Sequence, residues 1–383
     1  MPKEAAGDLS PAECHNDEGG QTHILKRRIV IYDIDSKIPN LALMKISSYY
    51  KNLGFEVILS KDFSYIKAHK YYASTVFYNQ KSQERIDFLK NIYGKDIDIG
   101  GSGINLKKRL PPEIETCFPD YQLYNHNKYA LGFLTRGCDK KCPFCIVPIK
   151  EGIVKKETNS FSDFVPTDQK NVMLLDDNLL SFYDSEMLLS EIINKKYAVN
   201  FSQSLDISYL NDHNFNLLKQ IDSRNARFTK YMIYFSCNNR KTVDEFTKRE
   251  ALLKDFGKDS VTVIAMFGFN TRLSDDYQML FMIKKLKLIP FFQEYLPIPG
   301  VPARVPNDFF DFDLNEVIRL KFRSNGQNWE KYLRWLNRHY FHTFGKYYLP
   351  LLEIIYRYNN KKAINRYLVN RNALTTDLYK IYN

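Results

Sequence analysis

Three cysteines stand close together in Cys138-Asp139-Lys140-Lys141-Cys142-Pro143-Phe144-Cys145, a C-x3-C-x2-C spacing. Three thiolates on one short loop can hold three corners of a 4Fe–4S cluster, whereas full ligation takes four. The fourth iron then keeps an open position at which a ligand can bind and react. The other reading of the loop is a zinc knuckle, which needs four N or S ligands in tetrahedral geometry. The nearest further donors are Cys117 and His126, neither at a usual knuckle spacing, and nothing downstream repeats the pattern. On that reading the chain is a non-catalytic, zinc-containing nucleic-acid-binding protein.

The cysteines need elements to position them, and the chain of 383 residues is long enough for two or three domains. Residues 1–25 are polar and are expected to form a disordered tail. They lack the basic-then-apolar order of a secretory signal, and no apolar run is long enough to span a bilayer. Cys14, Cys117 and Cys237 are scattered and do not suggest a disulfide framework. A cytoplasmic location and no membrane partner are expected.

From residue 26 to 110 strand and helix patterns alternate. Arg28–Asp33, Phe55–Leu59, Ser74–Tyr78 and Ile97–Ile99 read as strands. A helix opens with Pro39 in its first turn and stops at Gly54, and another spans about Gln83–Lys90. This predicts a small Rossmann-like parallel sheet, followed by a linker over 111–128. From 129 to 304 the strand candidates are Tyr129–Thr135, Asn171–Asp176, Ala198–Gln203, Phe228–Ser236, Val261–Phe267 and Leu288–Tyr295. Helical patterns at Asp184–Lys195, Thr242–Phe256 and Asp275–Lys287 lie between them. Six such units make a partial (β/α)6 barrel, in which functional residues sit at the carboxyl ends of strands. The cysteine loop follows the first of them.

Residues 305–383 read as a basic, aromatic-rich helical extension. From Arg319 onward there are 13 Lys and Arg against 3 Asp and Glu, within a net charge of +11. Such a surface suits a polyanion such as RNA, whose phosphates meet cations while its bases stack on rings. The competing reading is a helical cap with its rings turned inward and its cations outward. Helical spacing of Trp329, Tyr332, Leu333, Leu336 and Tyr340 favours packing for those rings.

The cysteine spacing, Gly137 before it and Phe144 beside its last cysteine resemble the radical S-adenosylmethionine superfamily, over roughly Tyr129 to Tyr295. The resemblance implies that Cys138, Cys142 and Cys145 bind the cluster and that S-adenosylmethionine chelates the open iron. Reductive cleavage then yields methionine and a 5′-deoxyadenosyl radical that abstracts hydrogen. It implies an electron donor such as flavodoxin or ferredoxin, and places Phe144 near the adenine. Where the superfamily often has Gly-Gly-Glu for the methionine amine, this chain reads Asp176-Asp177-Asn178, with Asp177 as the leading acceptor; helix capping by Asp177 and Asn178 is the alternative. Ser202, Gln203 and Ser236 fall at strand ends suited to the cofactor's ribose or carboxylate. Phe267 and Gly268 fall in the segment that lines the adenine, and Gln293 and Glu294 fall where a substrate would lie.

The segments Pro39–Lys45, Leu110–Glu115 and Gly132–Cys138 resemble one uncharacterised bacterial and phage group that joins a cobalamin-binding-like domain to a radical domain. That similarity runs from about Ile29 to Tyr340. It implies that Gly100-Gly101-Ser102-Gly103 lies near a cobalamin nucleotide tail. The module's D-x-H-x-x-G is replaced by Asp33-Ile34-Asp35-Ser36-Lys37-Ile38, which has no imidazole for cobalt, and a degenerate scaffold domain is the competing reading. Methylthiolases of tRNA resemble this architecture but carry three more cysteines ahead of the loop, where only Cys14 and Cys117 are present. Peptide-maturing relatives often carry a cysteine-rich C-terminal extension, and no cysteine follows Cys237. The substrate is left unnamed, with RNA or a phosphorylated molecule suggested by the basic extension.

Overall fold

A computed structural model of the chain describes residues 27–125, 127–155, 158–298, 305–322 and 329–344, the last eight by backbone alone. The expected tail at 1–25 and most of the basic extension, with the ring of Tyr340, lie outside the described residues. The chain divides into two compact units, Met1–Asn125 and His126–Asn383.

The first unit has strands β1 (Arg28–Asp33), β2 (Glu56–Ser60), β3 (Lys70–Ser74) and β4 (Ile97–Gly100), with helices α1 (Leu41–Asn52), α2 (Gln80–Tyr93) and α3 (Pro112–Glu115). All pairings are parallel, in the order β2-β1-β3-β4. Alternation along β1 sends Ile29 and Ile31 to the face covered by Leu43, Ile46 and Tyr50 of α1. Val30 and Tyr32 go to the face covered by Ile86, Leu89 and Tyr93 of α2. Burying both faces is what a parallel sheet requires.

Two sequence expectations shift here. Helix α1 is capped by Asn40, whose side chain accepts from the Leu43 amide, so Pro39 precedes the helix instead of opening it. The third strand is Lys70–Ser74 and not Ser74–Tyr78. The apolar run Val76-Phe77 cannot join the ladder because both amides donate to the carboxylate of Asp35.

The second unit contains β5 (Ala130–Gly132), α4 (Val147–Lys150), β6 (Asn171–Leu174), α5 (Ser185–Lys195), β7 (Ala198–Phe201), β8 (Leu205–Asp206), α6 (Asp212–Gln220) and β9 (Asp222–Ser223). There follow β10 (Ile233–Cys237), α7 (Arg240–Lys248), α8 (Glu250–Asp255), β11 (Val261–Phe267), α9 (Leu273–Lys285), β12 (Ile289–Glu294), α10 (Leu314–Arg319) and α11 (Trp329–Phe344). The strands form two parallel four-stranded sheets, β5-β6-β7-β9 and β12-β11-β10-β8. The six expected strands are present, that at Val261–Phe267 with the expected bounds and the others shortened or shifted. The small strands β8 and β9 and helix α6 were not anticipated, and they end each sheet where a continuous ladder was expected.

The fourth expected strand starts late because Phe228 sits at φ 57° in a turn closed by its amide on the Asn225 carbonyl. The helix expected over Thr242–Phe256 breaks at Arg249, whose guanidinium donates to the carbonyls of Ser208 and Leu210. On α11, Trp329, Tyr332, Leu333, Trp335 and Leu336 are buried against Phe267, Phe292, Phe309 and Phe322. The packing reading therefore holds for those rings. No described helix is long and apolar enough to cross a membrane.

Candidate metal and cofactor site

The cysteine loop leaves the carboxyl end of β5, and Asp176 makes it leave. This carboxylate, 5% exposed, accepts the Leu134 amide at 3.1 Å, the Thr135 amide at 2.6 Å and the Thr135 hydroxyl at 2.7 Å. Both amides are thereby withdrawn from the sheet, which is why β5 stops at Gly132 and not at Thr135. Burial pushes the Asp176 carboxyl up to about 6, and the three donors oppose that shift. Asp176 serves as a strap for the loop, with its oxygens engaged by the chain.

Beyond the strap, the Gly137 amide donates to Asp177 at 2.9 Å. Gly137 has φ +92°, and a Cβ there would lie 2.2 Å from the Ile153 carbonyl oxygen. Only glycine allows this approach. The loop returns on itself through Cys138 N to Gly152 O at 3.1 Å and Lys155 N to Arg136 O at 3.1 Å. Lys140 pins its tip, donating to the Ser208 hydroxyl at 2.9 Å, 3.6 Å from Asp206 and over the Tyr209 ring at 5.1 Å. Sequence reasoning missed Lys140 and Tyr209, and no local pattern marks them.

The three thiols are half-buried and unbridged. Backbone amides point at two of the sulfurs, Lys140 N at Cys138 Sγ and Val147 N at Cys145 Sγ, each at 3.4 Å. Burial raises all three thiols, Cys145 to about 11, and mutual repulsion adds to the shift at Cys142 and Cys145. The free thiols are therefore protonated near neutrality, and a cation must displace those protons. Among the described residues no three His, Cys, Asp or Glu side chains converge tightly enough to hold a metal ion. The donor set nonetheless fits a thiolate-ligated cluster, because three sulfurs share one loop and amide donors already face two of them. Cys117 belongs to the first unit and donates to the Glu113 carbonyl, and His126 lies outside the described residues.

Asn178 is buried, at 3% exposure. It occupies the cap position of the turn Leu179–Ser181 without capping it. Its Nδ2 instead stands 3.7 Å from Cys138 Sγ, and its Oδ1 has no partner. Asp177 likewise makes no cap, and burial raises its carboxyl. Ser202 directs its hydroxyl to the Leu174 carbonyl at 2.8 Å, and Gln203 is exposed at the end of β7 with its amide 3.5 Å from Ser202 Oγ. Ser236 is half-buried on β10, in register with Asp206 of β8. On β12, Gln293 is exposed and Glu294 half-buried.

The aromatic wall differs from expectation. The Phe267 ring meets Tyr332 at 5.0 Å and Trp335 at 5.2 Å, and a Cβ on Gly268 (φ +88°) would lie 3.2 Å from Trp335 Nε1. Both residues therefore face α11. Phe269 is the ring of this segment that meets the cysteine loop, edge-on to Phe144 at 5.7 Å, with Tyr295 behind it at 4.8 Å.

The corresponding sheet end of the first unit offers no support for a cobalamin tail. A Cβ on Gly101 would lie 2.1 Å from Thr75 O, and one on Gly103 2.5 Å from Phe77 O. The glycine loop thus packs on the chain's own backbone. The Asp35 carboxylate is engaged by the chain, accepting from Thr75 Oγ1 (2.7 Å), Val76 N (2.7 Å), Phe77 N (3.1 Å) and Ser82 Oγ (2.6 Å).

No family model matches the chain. Among solved structures, the chain is similar to Streptococcus suis SuiB at 14% identity and TM-score 0.31, covering 50% of this chain and 44% of that one. The crystal structure of SuiB bound to S-adenosylmethionine matches at 13% identity and TM-score 0.31, over 62% of this chain and 51% of SuiB. A curated relative, the tRNA-2-methylthio-N(6)-dimethylallyladenosine synthase of Aquifex aeolicus (strain VF5), is 24% identical over 253 residues. The match covers 58% of this chain and 57% of the relative, so the chain spans little more than half of that synthase's length.

Proposed function

We propose that the chain is a radical S-adenosylmethionine enzyme acting by hydrogen abstraction. The observation that carries this reading is the loop of Cys138, Cys142 and Cys145 at the carboxyl end of β5, with amides aimed at two sulfurs and Asn178 at one of them. The similarity to the Aquifex aeolicus synthase adds support from sequence. When bound, a 4Fe–4S cluster with S-adenosylmethionine would supply an electron to the sulfonium and so a 5′-deoxyadenosyl radical. Cys138, Cys142 and Cys145 would hold the cluster. Asn178 Oδ1, buried without a partner, and the Asp177 carboxylate offer acceptors for an ammonium group. Phe144 and Phe269 supply an apolar wall beside the loop, and Ser202, Gln203 and Ser236 supply polar groups at neighbouring strand ends.

The partial (β/α)6 barrel belongs to the same reading, with β5-β6-β7 and β10-β11-β12 as two parallel halves in chain order. An RNA substrate is supported by the basic excess after Arg319 and by the tRNA in the relative's name. Methylthiolation is not favoured, because only two cysteines precede the loop and a second cluster lacks ligands there.

The test is anaerobic reconstitution with iron and sulfide, then dithionite-dependent formation of 5′-deoxyadenosine, with and without total tRNA. Cofactor cleavage that disappears when Cys138, Cys142 and Cys145 are changed to Ala is expected. A colourless protein with stoichiometric zinc and no cleavage overturns the proposal in favour of the zinc-binding alternative.

A further inference from the structure

We infer that Asn178 is a positioning residue for the Cys138 sulfur, setting both its placement and the electron affinity of whatever that sulfur binds. The inference rests on the cluster-binding reading of the cysteine loop. Three observations meet at this side chain. It is almost fully buried, it stands at a helix-cap position whose usual bond it does not make, and its amide nitrogen lies 3.7 Å from Cys138 Sγ. The backbone is held for this purpose, because the Asn178 carbonyl accepts both the amide and the hydroxyl of Ser181, at 3.0 and 2.8 Å.

The amide orientation follows from the donor inventory. A flipped group would set an acceptor oxygen against a sulfur that becomes anionic on ligation, and would bury an NH2 with no acceptor. An N–H directed at a ligating sulfur stabilises the more negative, reduced cluster and so raises its potential. Cys138 therefore receives a side-chain donor from β6's outgoing loop in addition to the Lys140 amide. Among the described residues, neither Cys142 nor Cys145 has a side-chain hydrogen bond to its sulfur.

The experiment compares wild type with Asn178→Leu and Asn178→Asp after reconstitution, reading iron content, thermal melt and the EPR-monitored reduction midpoint. Asn178→Leu keeps the branched outline, with somewhat more bulk, and removes the donor. Its midpoint is expected to shift to more negative values, or its iron content to fall while the melt stays native. Asn178→Asp is expected to shift in the same direction. Unchanged iron and midpoint in the folded Leu variant would mean that Asn178 merely fills space, and would overturn the inference while leaving the cluster reading intact. A wild type that takes up no cluster sinks the cluster reading itself, and this inference with it. Should neither variant fold, wild type carrying side-chain 15N-asparagine decides the matter. A 15N hyperfine coupling to the reduced cluster is expected, and its absence overturns the inference.

Discussion

The carboxyl ends of the two units' first sheets use the same device to different ends. In the first unit Asp35 follows β1 and captures the amides of Val76 and Phe77, which ends β3. In the second unit Asp176 follows β6 and captures the amides of Leu134 and Thr135, which ends β5. Each carboxylate peels a neighbouring strand away from its ladder, and a positive-φ glycine packs on nearby backbone, Gly137 after β5 itself and Gly101 after β4 against Thr75. The outcomes then diverge. Asp35 accepts four donors of its own unit and the glycine loop lies on backbone, so the carboxylate itself is fully engaged, and the orphaned group nearby in sequence is the Gln83 amide nitrogen of α2. Around Asp176 the chain retains three half-buried thiols and an orphaned Asn178 oxygen. A strand end becomes a candidate site through the polar groups it leaves unsatisfied, and the shared geometry does not decide it.

The sharpest way to break that comparison is to mutate the two glycines in parallel. Gly137→Ala meets both a left-handed φ and the Ile153 carbonyl, and should cost about 3 kcal/mol or more and empty the cluster, read as iron content after reconstitution. Gly101→Ala should cost a similar amount in a denaturant melt yet leave iron content per folded protein unchanged. Iron loss in Gly101→Ala would show that the two ends do not have separate roles.

Next in size is the carboxylate of the closed end. Asp35→Ala removes the acceptor of Val76 N, Phe77 N and the Ser82 hydroxyl and one of two acceptors of the Thr75 hydroxyl, and should destabilise the chain by about 3 kcal/mol. Hydroxocobalamin should still fail to co-elute with this variant and with wild type on gel filtration. Corrinoid retention by either would reopen the first unit as a cofactor domain.

A pH effect follows from the strap at the open end. Burial raises Asp176 to about 6 from an ordinary 3.8, so between those values the folded chain holds more protons than the unfolded one. Stability must then fall as pH rises from about 4 to 6, by at most about 3 kcal/mol for this group. Asp276, buried on α9 with the Tyr332 hydroxyl donating to it at 2.8 Å, is raised by burial to about 7 and extends the fall to that pH. Melts of the metal-free chain across pH 4.5–7.5 should show this slope, and Asp276→Asn should flatten its upper part. An unchanged slope in that variant would count against the assignment.

The smallest effects sharpen the picture of the loop tip. Phe269→Ala should cost about 1 kcal/mol, through its contacts with Phe144 and Tyr295. Lys140→Ala removes a part-exposed ion pair with Asp206 and should cost about 0.5 kcal/mol. Both should retain iron, whereas a large iron loss in Lys140→Ala would make that lysine a structural clamp on the loop.

Much of this was legible in the chain because it rests on short-range chemistry. Three thiols at one spacing, the alternation of Ile29 to Tyr32 along a strand, and helix-period rings from Trp329 to Leu336 are patterns within a few residues of one another. The boundaries of β3, β5 and β10 were not legible. They depend on which acceptor captures an outgoing amide, and for β3 and β5 that acceptor is a carboxylate about 40 residues away in sequence. The surroundings of Phe267 and Gly268 were hidden for a similar reason, since nothing local indicates that α11 covers them while Phe269 meets Phe144.

By itself, then, the sequence determined that three cysteine sulfurs share one loop after a strand of an α/β chain, because spacing and periodicity are properties of the covalent backbone. Only the tertiary structure decided which polar groups are used up and which remain open. Hydrogen-bond satisfaction is settled by what folding brings within about 3 Å, and there Asp35 and Asp176 are consumed while Asn178 is left facing a sulfur.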